Sequence, residues 1–147
     1  MTLNKHAIAT FLGTLSLGTL FGYAAAAAGD LTVTVDGIQP GPGAVRVVLY
    51  DKADGFRHED KAAAVQSIPA TQASVTAAFL DLPPGQYAVI AYHDANGNGK
   101  LDLTLGMFPS EGWGLSLDPT VLGPPRFGAS AFDVGAEPVF QTVKLHY

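Results

Sequence analysis

The feature that most constrains the fold is residues 83–94, PPGQYAVIAYHD, because this stretch is apolar on both faces of an extended chain. Successive side chains of a strand point to opposite sides of the sheet. Apolar residues fill both sets of alternating positions: Tyr87, Val89 and Ala91 on one side, and Ala88, Ile90 and Tyr92 on the other. The sequence therefore predicts a strand that lies inside the protein and is covered on both faces.

Four further stretches show the period-two alternation of strands. They are LTVTVDG at 31–37, AVRVVLYD at 44–51, ASVTAAFLDL at 73–82 and VFQTVKLHY at 139–147. The turn composition of IQPGPG between the first two predicts that they form a hairpin, and a short helix is expected only within residues 58–68. Short strands separated by Gly/Pro turns indicate the all-β class, so we expect a single antiparallel β-sandwich domain over residues 29–147.

A long segment at 103–138 resists assignment to one element, since it holds six glycines and five prolines. It is also too rich in aromatic and aliphatic residues for a solvated linker. One interpretation is that it covers the second face of the strand at 83–94, with a short strand or two of its own. The alternative is a ligand groove, with Trp113, Phe108 and His93 as the candidate ligand-binding residues.

The N-terminal residues predict a signal peptide over 1–28, removed in the mature protein. One charge, Lys5, precedes an apolar, uncharged stretch that ends in a run of alanines, which is typical of a cleaved leader; a retained membrane anchor is the alternative. Cleavage would take the net charge from −5 to −6 and leave no membrane span. An acidic chain without a basic cluster argues against nucleic acid as a partner, and we expect a periplasmic or extracellular location.

A cation-binding loop is predicted at 94–102, DANGNGKLD. Calcium takes six to eight oxygen ligands, and a tight loop offers them at alternate positions. The first, third, fifth, seventh and ninth places of a calcium-type loop are filled here by Asp94, Asn96, Asn98, the backbone carbonyl of Lys100, and Asp102. The twelfth place is Leu105 rather than glutamate, so a closing carboxylate must come from elsewhere, and Glu111 is the nearest candidate.

The competing interpretation of the same loop is a pair of turns. Asn-Gly is the strongest hairpin-turn dipeptide, and it occurs here at 96–97 and again at 98–99. A turn does not require carboxylates at both ends, which favours the cation site. Because affinity follows the charge of the ligands, a calcium site of this kind belongs to the weak extracellular class, on the order of 10⁻⁴–10⁻³ M, and suits a structural clip.

The chain resembles a bacterial secreted family, domain of unknown function 2141. The residues that carry the resemblance are VRVVLYD, LPPGQYAVIAYHDANGNGKLD, GMFPSEGWGLS, PPRFGASAF and the closing TVKLHY. The resemblance covers nearly all of the chain after the leader. It implies a secreted β-sandwich of the transthyretin-like kind, and it implies no established activity.

The residues favour a binding or accessory module over an enzyme. There is no cysteine and no Gly-x-Ser-x-Gly motif for a nucleophile. The alternative is a metal-dependent hydrolase or oxygenase centred on His93, Asp94 and Glu111, and a third interpretation is a purely structural envelope protein. Expected partners are a small molecule, a glycan or an envelope protein, with calcium as the candidate cofactor.

Overall fold

A computed structural model of the chain describes residues 27–147, so most of the predicted leader lies outside the described part. Ten strands make up most of the regular structure. They are β1 (Gly29–Asp36), β2 (Ala44–Tyr50), β3 (Ala64–Pro69), β4 (Ser74–Leu82), β5 (Gly85–Asp94), β6 (Leu103–Thr104), β7 (Phe108–Pro109), β8 (Trp113–Leu115), β9 (Phe132–Val134) and β10 (Val139–Lys144). One 3-10 turn at Glu59–Lys61 and one four-residue helix, α1 (Phe127–Ser130), complete the described elements. The predicted all-β class is confirmed.

Two sheets enclose the core. One has the order β10-β1-β4, and the other has the order β3-β2-β5-β8, with β9 paired to the start of β5. Neighbours run antiparallel except β1 and β10, which are parallel. Strands β6 and β7 pair only with each other, as a small separate hairpin. Within residues 27–147 no helix has the length and hydropathy that a membrane span requires.

Alternate residues of both sheets fill one continuous core, as in a sandwich. Its fully buried members include Leu31, Val33, Val35, Val45, Val47, Leu49, Val89 and Val143. Burying one such side chain contributes about 1.5–3 kcal/mol relative to leaving it in water. The period-two pattern of the strands therefore determines which face of each sheet points inward.

A second apolar cluster covers the outer face of β2 and β5. It joins Val48, Ile90 and Tyr92 to residues of the connecting segments, among them Phe56 and Leu115. Trp113, Val121 and Phe127 pack against this cluster, and β8 and β9 hydrogen-bond directly to β5. The segment 103–138 thus supplies the predicted cover for the two-sided strand.

The connection between β2 and β3, which contains Phe56, also covers this face, and its Glu59 is held by Arg46 and Tyr92. The Glu59 carboxylate accepts hydrogen bonds from Arg46 Nε at 3.3 Å and from the Tyr92 hydroxyl at 2.7 Å, and Arg46 Nη2 also contacts it. Burial, reinforced by the hydrogen bond to Glu59, raises the pKa of Tyr92. The phenol therefore stays protonated and continues to donate.

Two expectations about local structure are wrong. The first two strands do not form a hairpin: β1 pairs with β4 and β10, whereas β2 lies in the opposite sheet. Residues 37–43 cross between the sheets, tied by Ile38 N to Ala73 O (3.1 Å) and Gly41 N to Ala70 O (2.9 Å). The helix expected within 58–68 is only the 3-10 turn followed by β3. The residues of β3 are extended, pair with β2 and alternate between half-buried and exposed.

Candidate functional site

The loop at 94–102 leaves the end of β5 and leads to the β6–β7 hairpin. Asp94 begins it and is 3% exposed. Its two carboxylate oxygens accept the backbone N–H groups of Asn98 at 3.0 Å and Gly99 at 2.9 Å. A buried carboxylate that binds two backbone donors fixes the loop against the end of the strand.

The two asparagines continue the same pattern toward Asp102. Asn96 Oδ1 accepts from Asn98 N at 3.0 Å, and Asn98 Oδ1 accepts from Lys100 N at 2.8 Å. Their side-chain amides donate to the Asp102 carboxylate at distances of 2.6–3.1 Å. The glycine that follows each asparagine has φ +72°, so the chain bends at both Asn-Gly pairs, with only the glycine in the left-handed region.

Glu111 lies at the loop, where the sequence placed the closing carboxylate. Its Oε1 accepts from Ala95 N at 3.0 Å, and its Oε2 accepts from Asp102 N at 3.2 Å. Ser110 ties the same place, since its backbone N and its hydroxyl both donate to Asp102 O. One carboxylate thus joins the start of the loop to its end.

All of the predicted side-chain ligands therefore meet in a single hydrogen-bonded network. The backbone N–H of Lys100 takes part in this network, and Lys100 is exposed. Among residues 27–147, no three His, Asp or Glu side chains are grouped as ligands of a metal ion. The carboxylate oxygens accept N–H groups instead, and calcium coordination at this loop stays a prediction.

His93 is held by the protein at both ring nitrogens. Nε2 lies 2.9 Å from Pro42 O, and Nδ1 lies 3.0 Å from the Tyr147 hydroxyl, which also accepts from Gln39 N at 3.0 Å. A carbonyl oxygen only accepts, so Nε2 carries the hydrogen, and in the neutral ring Nδ1 accepts from Tyr147. His93 is 5% exposed and borders a cleft of about 280 Å³ that Glu111 also lines.

A second cleft, of about 340 Å³, lies beside Trp113. Trp113 and His146 exchange backbone hydrogen bonds at 3.0 and 2.9 Å, and His146 Nε2 lies 3.0 Å from Asp118 Oδ1. Neither Asp118 nor His146 is among the site residues predicted from the sequence. Asp118 and His146 are 28 residues apart along the chain. The backbone at Leu117 and Asp118 has positive φ, which neither residue type indicates in the sequence.

The predicted ligand-binding residues are divided between the two clefts and the β6–β7 hairpin, and a ligand groove at these residues stays a prediction. Trp113 lines the larger cleft and His93 the smaller one. Phe108 lies on the β6–β7 hairpin and is 62% exposed. β8 pairs Trp113 with Tyr92, the neighbour of His93. Successive residues of a strand point to opposite faces, so Trp113 and His93 line different clefts.

Comparisons with known proteins establish the family. No curated protein and no solved structure matches the chain, so a transthyretin-like arrangement of the sandwich stays a prediction. A family model described as an uncharacterized protein conserved in bacteria matches residues 33–141. The match runs from within β1 through the loop and Glu111 into β10, and it ends before His146 and Tyr147. The chain therefore belongs to this bacterial family, domain of unknown function 2141.

Proposed function

We propose that this protein is a secreted binding or accessory module whose loop at 94–102 is a calcium-type clip. The observation that carries the proposal is the Glu111 carboxylate, which hydrogen-bonds to the backbone at both ends of the loop. A cation shared by Glu111 and the loop carboxylates would reinforce the same closure. The clip would then hold the edge of the sandwich rather than act as a sensor.

The donor set fits a hard cation in its chemistry. Side-chain oxygens come from Asp94, Asn96, Asn98, Asp102 and Glu111, and the Lys100 carbonyl is a further donor. A carboxylate oxygen has two lone pairs, so an oxygen that accepts one N–H group keeps a second site for a cation. Binding would require the two asparagine amides to turn their oxygens inward, because their nitrogens now face Asp102.

Electrostatics favours an added cation at this place. Three carboxylates, those of Asp94, Asp102 and Glu111, belong to one network. In the described residues no ion pair involves any of them. A divalent cation would have to draw these carboxylates closer together, and it would provide the positive charge that the loop lacks.

Calcium should therefore raise the melting temperature of the chelator-treated protein. At five millimolar calcium a weak site reaches about a tenfold excess over its dissociation constant, which stabilises the folded state by roughly 1.4 kcal/mol. For a domain of this size the expected shift is about 3–6 °C. Differential scanning calorimetry in chelator and in calcium measures it, with magnesium as the comparison. An unchanged melt would leave only the two Asn-Gly turns.

Secretion is the second part of the proposal, and its support is the N-terminal sequence. The apolar stretch that ends in alanines is typical of a cleaved leader. Intact-mass measurement of the protein from its native cell envelope should give a start near Gly29 or Asp30. Protein with Met1 still attached in a membrane fraction would refute cleavage.

The enzyme alternative gains no support from the geometry around His93. A ring with both nitrogens hydrogen-bonded inside the protein offers neither a free base nor a metal ligand without breaking those contacts. The proposal therefore keeps a binding or accessory role. The cleft beside Trp113 is the place in this module where a small molecule or a glycan would be sought first.

A further inference from the structure

The β6–β7 hairpin concentrates exposed apolar side chains. Leu105 is 83% exposed, Met107 69%, Phe108 62% and Leu103 47%. These are four of the ten large hydrophobic residues exposed in the described chain, and they fall within six consecutive positions. No residue from Leu103 to Ser110 carries a charge. Isolated exposed hydrophobics are ordinary on a protein surface, but a cluster of this kind indicates an interaction site.

The tip of the hairpin is apolar although its turn does not require it. Met107 N donates to Thr104 O at 3.2 Å, and the two central residues, Leu105 and Gly106, have φ +55° and +68°. Two positive φ angles define a turn that strongly favours Asn or Asp before Gly. Leucine at the first central position adopts a strained backbone and also leaves its side chain in water. The turn alone gives no reason for leucine here.

The hairpin projects from the sandwich at the predicted calcium loop. Strands β6 and β7 pair with neither main sheet, and an isolated two-stranded hairpin is at best marginally stable in water. Its base is held by the bonds from Asp102 N to Glu111 and from Ser110 to Asp102 O. The carboxylates proposed to bind calcium therefore lie where the hairpin joins the domain.

We propose that this hairpin inserts its apolar tip into the headgroup boundary of a lipid bilayer. The inference rests on the proposed function, since it places the calcium clip at the base of the inserted element. A standard protein interface involves about 20–30 residues on each partner, whereas this exposed apolar cluster consists of four side chains. A bilayer demands no matching shape and accepts a small uncharged apolar projection.

Charge predicts how calcium affects this contact. The chain is acidic, and Asp94, Asp102 and Glu111 lie near the base of the tip. They would repel an anionic lipid surface, and a bound calcium would reduce that repulsion. Binding to anionic vesicles should therefore strengthen with calcium, while binding to zwitterionic vesicles should depend on calcium only weakly.

Vesicle sedimentation tests the inference with matched variants. The probes are vesicles of phosphatidylcholine alone and of phosphatidylcholine with one quarter phosphatidylglycerol, each in chelator and in calcium. Leu105→Asn combined with Phe108→Ser places a favoured turn residue at the tip and removes two inserting side chains. Because two apolar side chains no longer insert, the partition coefficient should fall at least about tenfold.

The control is Leu122→Asn, which changes a leucine that is 98% exposed and lies outside the hairpin. It should alter partitioning less than about twofold. All proteins carry the same N-terminus, verified by intact mass, so the difference between them reports the hairpin. Equal partitioning of the double variant and its parent would overturn the inference, as would a hairpin-dependent dimer in ultracentrifugation with no vesicle binding.

The outcome separates the hairpin from the clip. If calcium raises the melting temperature but no vesicle binds the parent, the lipid inference fails and the proposed function stands. If phosphatidylcholine vesicles bind through Leu105 and Phe108 while calcium leaves the melt unchanged, the hairpin inserts and the calcium clip is refuted.

Discussion

Replacing Gly43 with alanine should destabilise the protein by about 3 kcal/mol or more, through the junction between β2 and the predicted calcium loop. Gly43 has φ +82°, and a Cβ built on it would collide with Asp94 O and crowd Ala95. The positive φ costs an alanine about 1–2 kcal/mol. The collision adds a backbone displacement, because Asp94 O belongs to the chain itself and no flexible side chain stands between.

Gly97→Ala is the matched control for this change. Gly97 has φ +72° and no atom within 4 Å of a built Cβ, so it isolates the conformational cost and should lose only about 1–2 kcal/mol. Urea unfolding of both variants in chelator measures the difference. Equal losses would show that the close approach of residue 43 to the loop does not contribute to stability.

The strands follow from the sequence because their information is local. The alternation of β1 and the two-sided apolar pattern of β5 predict both elements and their inward faces. The partner of a strand is not local. β1 and β2 each show a clear alternating pattern and are joined by turn residues, yet the two strands lie in different sheets. Burial of both inner faces determines that pairing, and no short stretch encodes it.

The site divides in the same way. Asp94 to Asp102 are close enough in sequence for one loop to bring them together, and Glu111 follows one hairpin later. Spacing can therefore predict that these residues meet, while calcium coordination by them stays a prediction. The contact of His93 with Tyr147 spans 54 residues, and that of Asp118 with His146 spans 28. Both depend on β10 and the residues after it returning beside β5 and β8, which becomes visible only in the fold.

Replacing Glu111 with glutamine should have two separable effects. In chelator, the glutamine amide nitrogen would face one of the two backbone N–H groups that the carboxylate now accepts. One partly buried donor loses its partner, and the free energy of unfolding should fall by about 1 kcal/mol. In calcium, the loss of a charged ligand should also remove the stabilisation of roughly 1.4 kcal/mol expected of the parent protein.

Calorimetry of Glu111→Gln in both buffers resolves the two effects, with Glu137→Gln as the control at an exposed position. The control should stay within about 0.5 kcal/mol of the parent and keep its calcium response. Glu111→Gln could lower the melting temperature in chelator but keep the full rise in melting temperature that calcium causes. In that case Glu111 closes the loop by hydrogen bonds alone and the cation has other ligands. If it changes neither quantity, the bridge from Ala95 to Asp102 does not stabilise the loop, and the observation that carries the proposed clip is refuted.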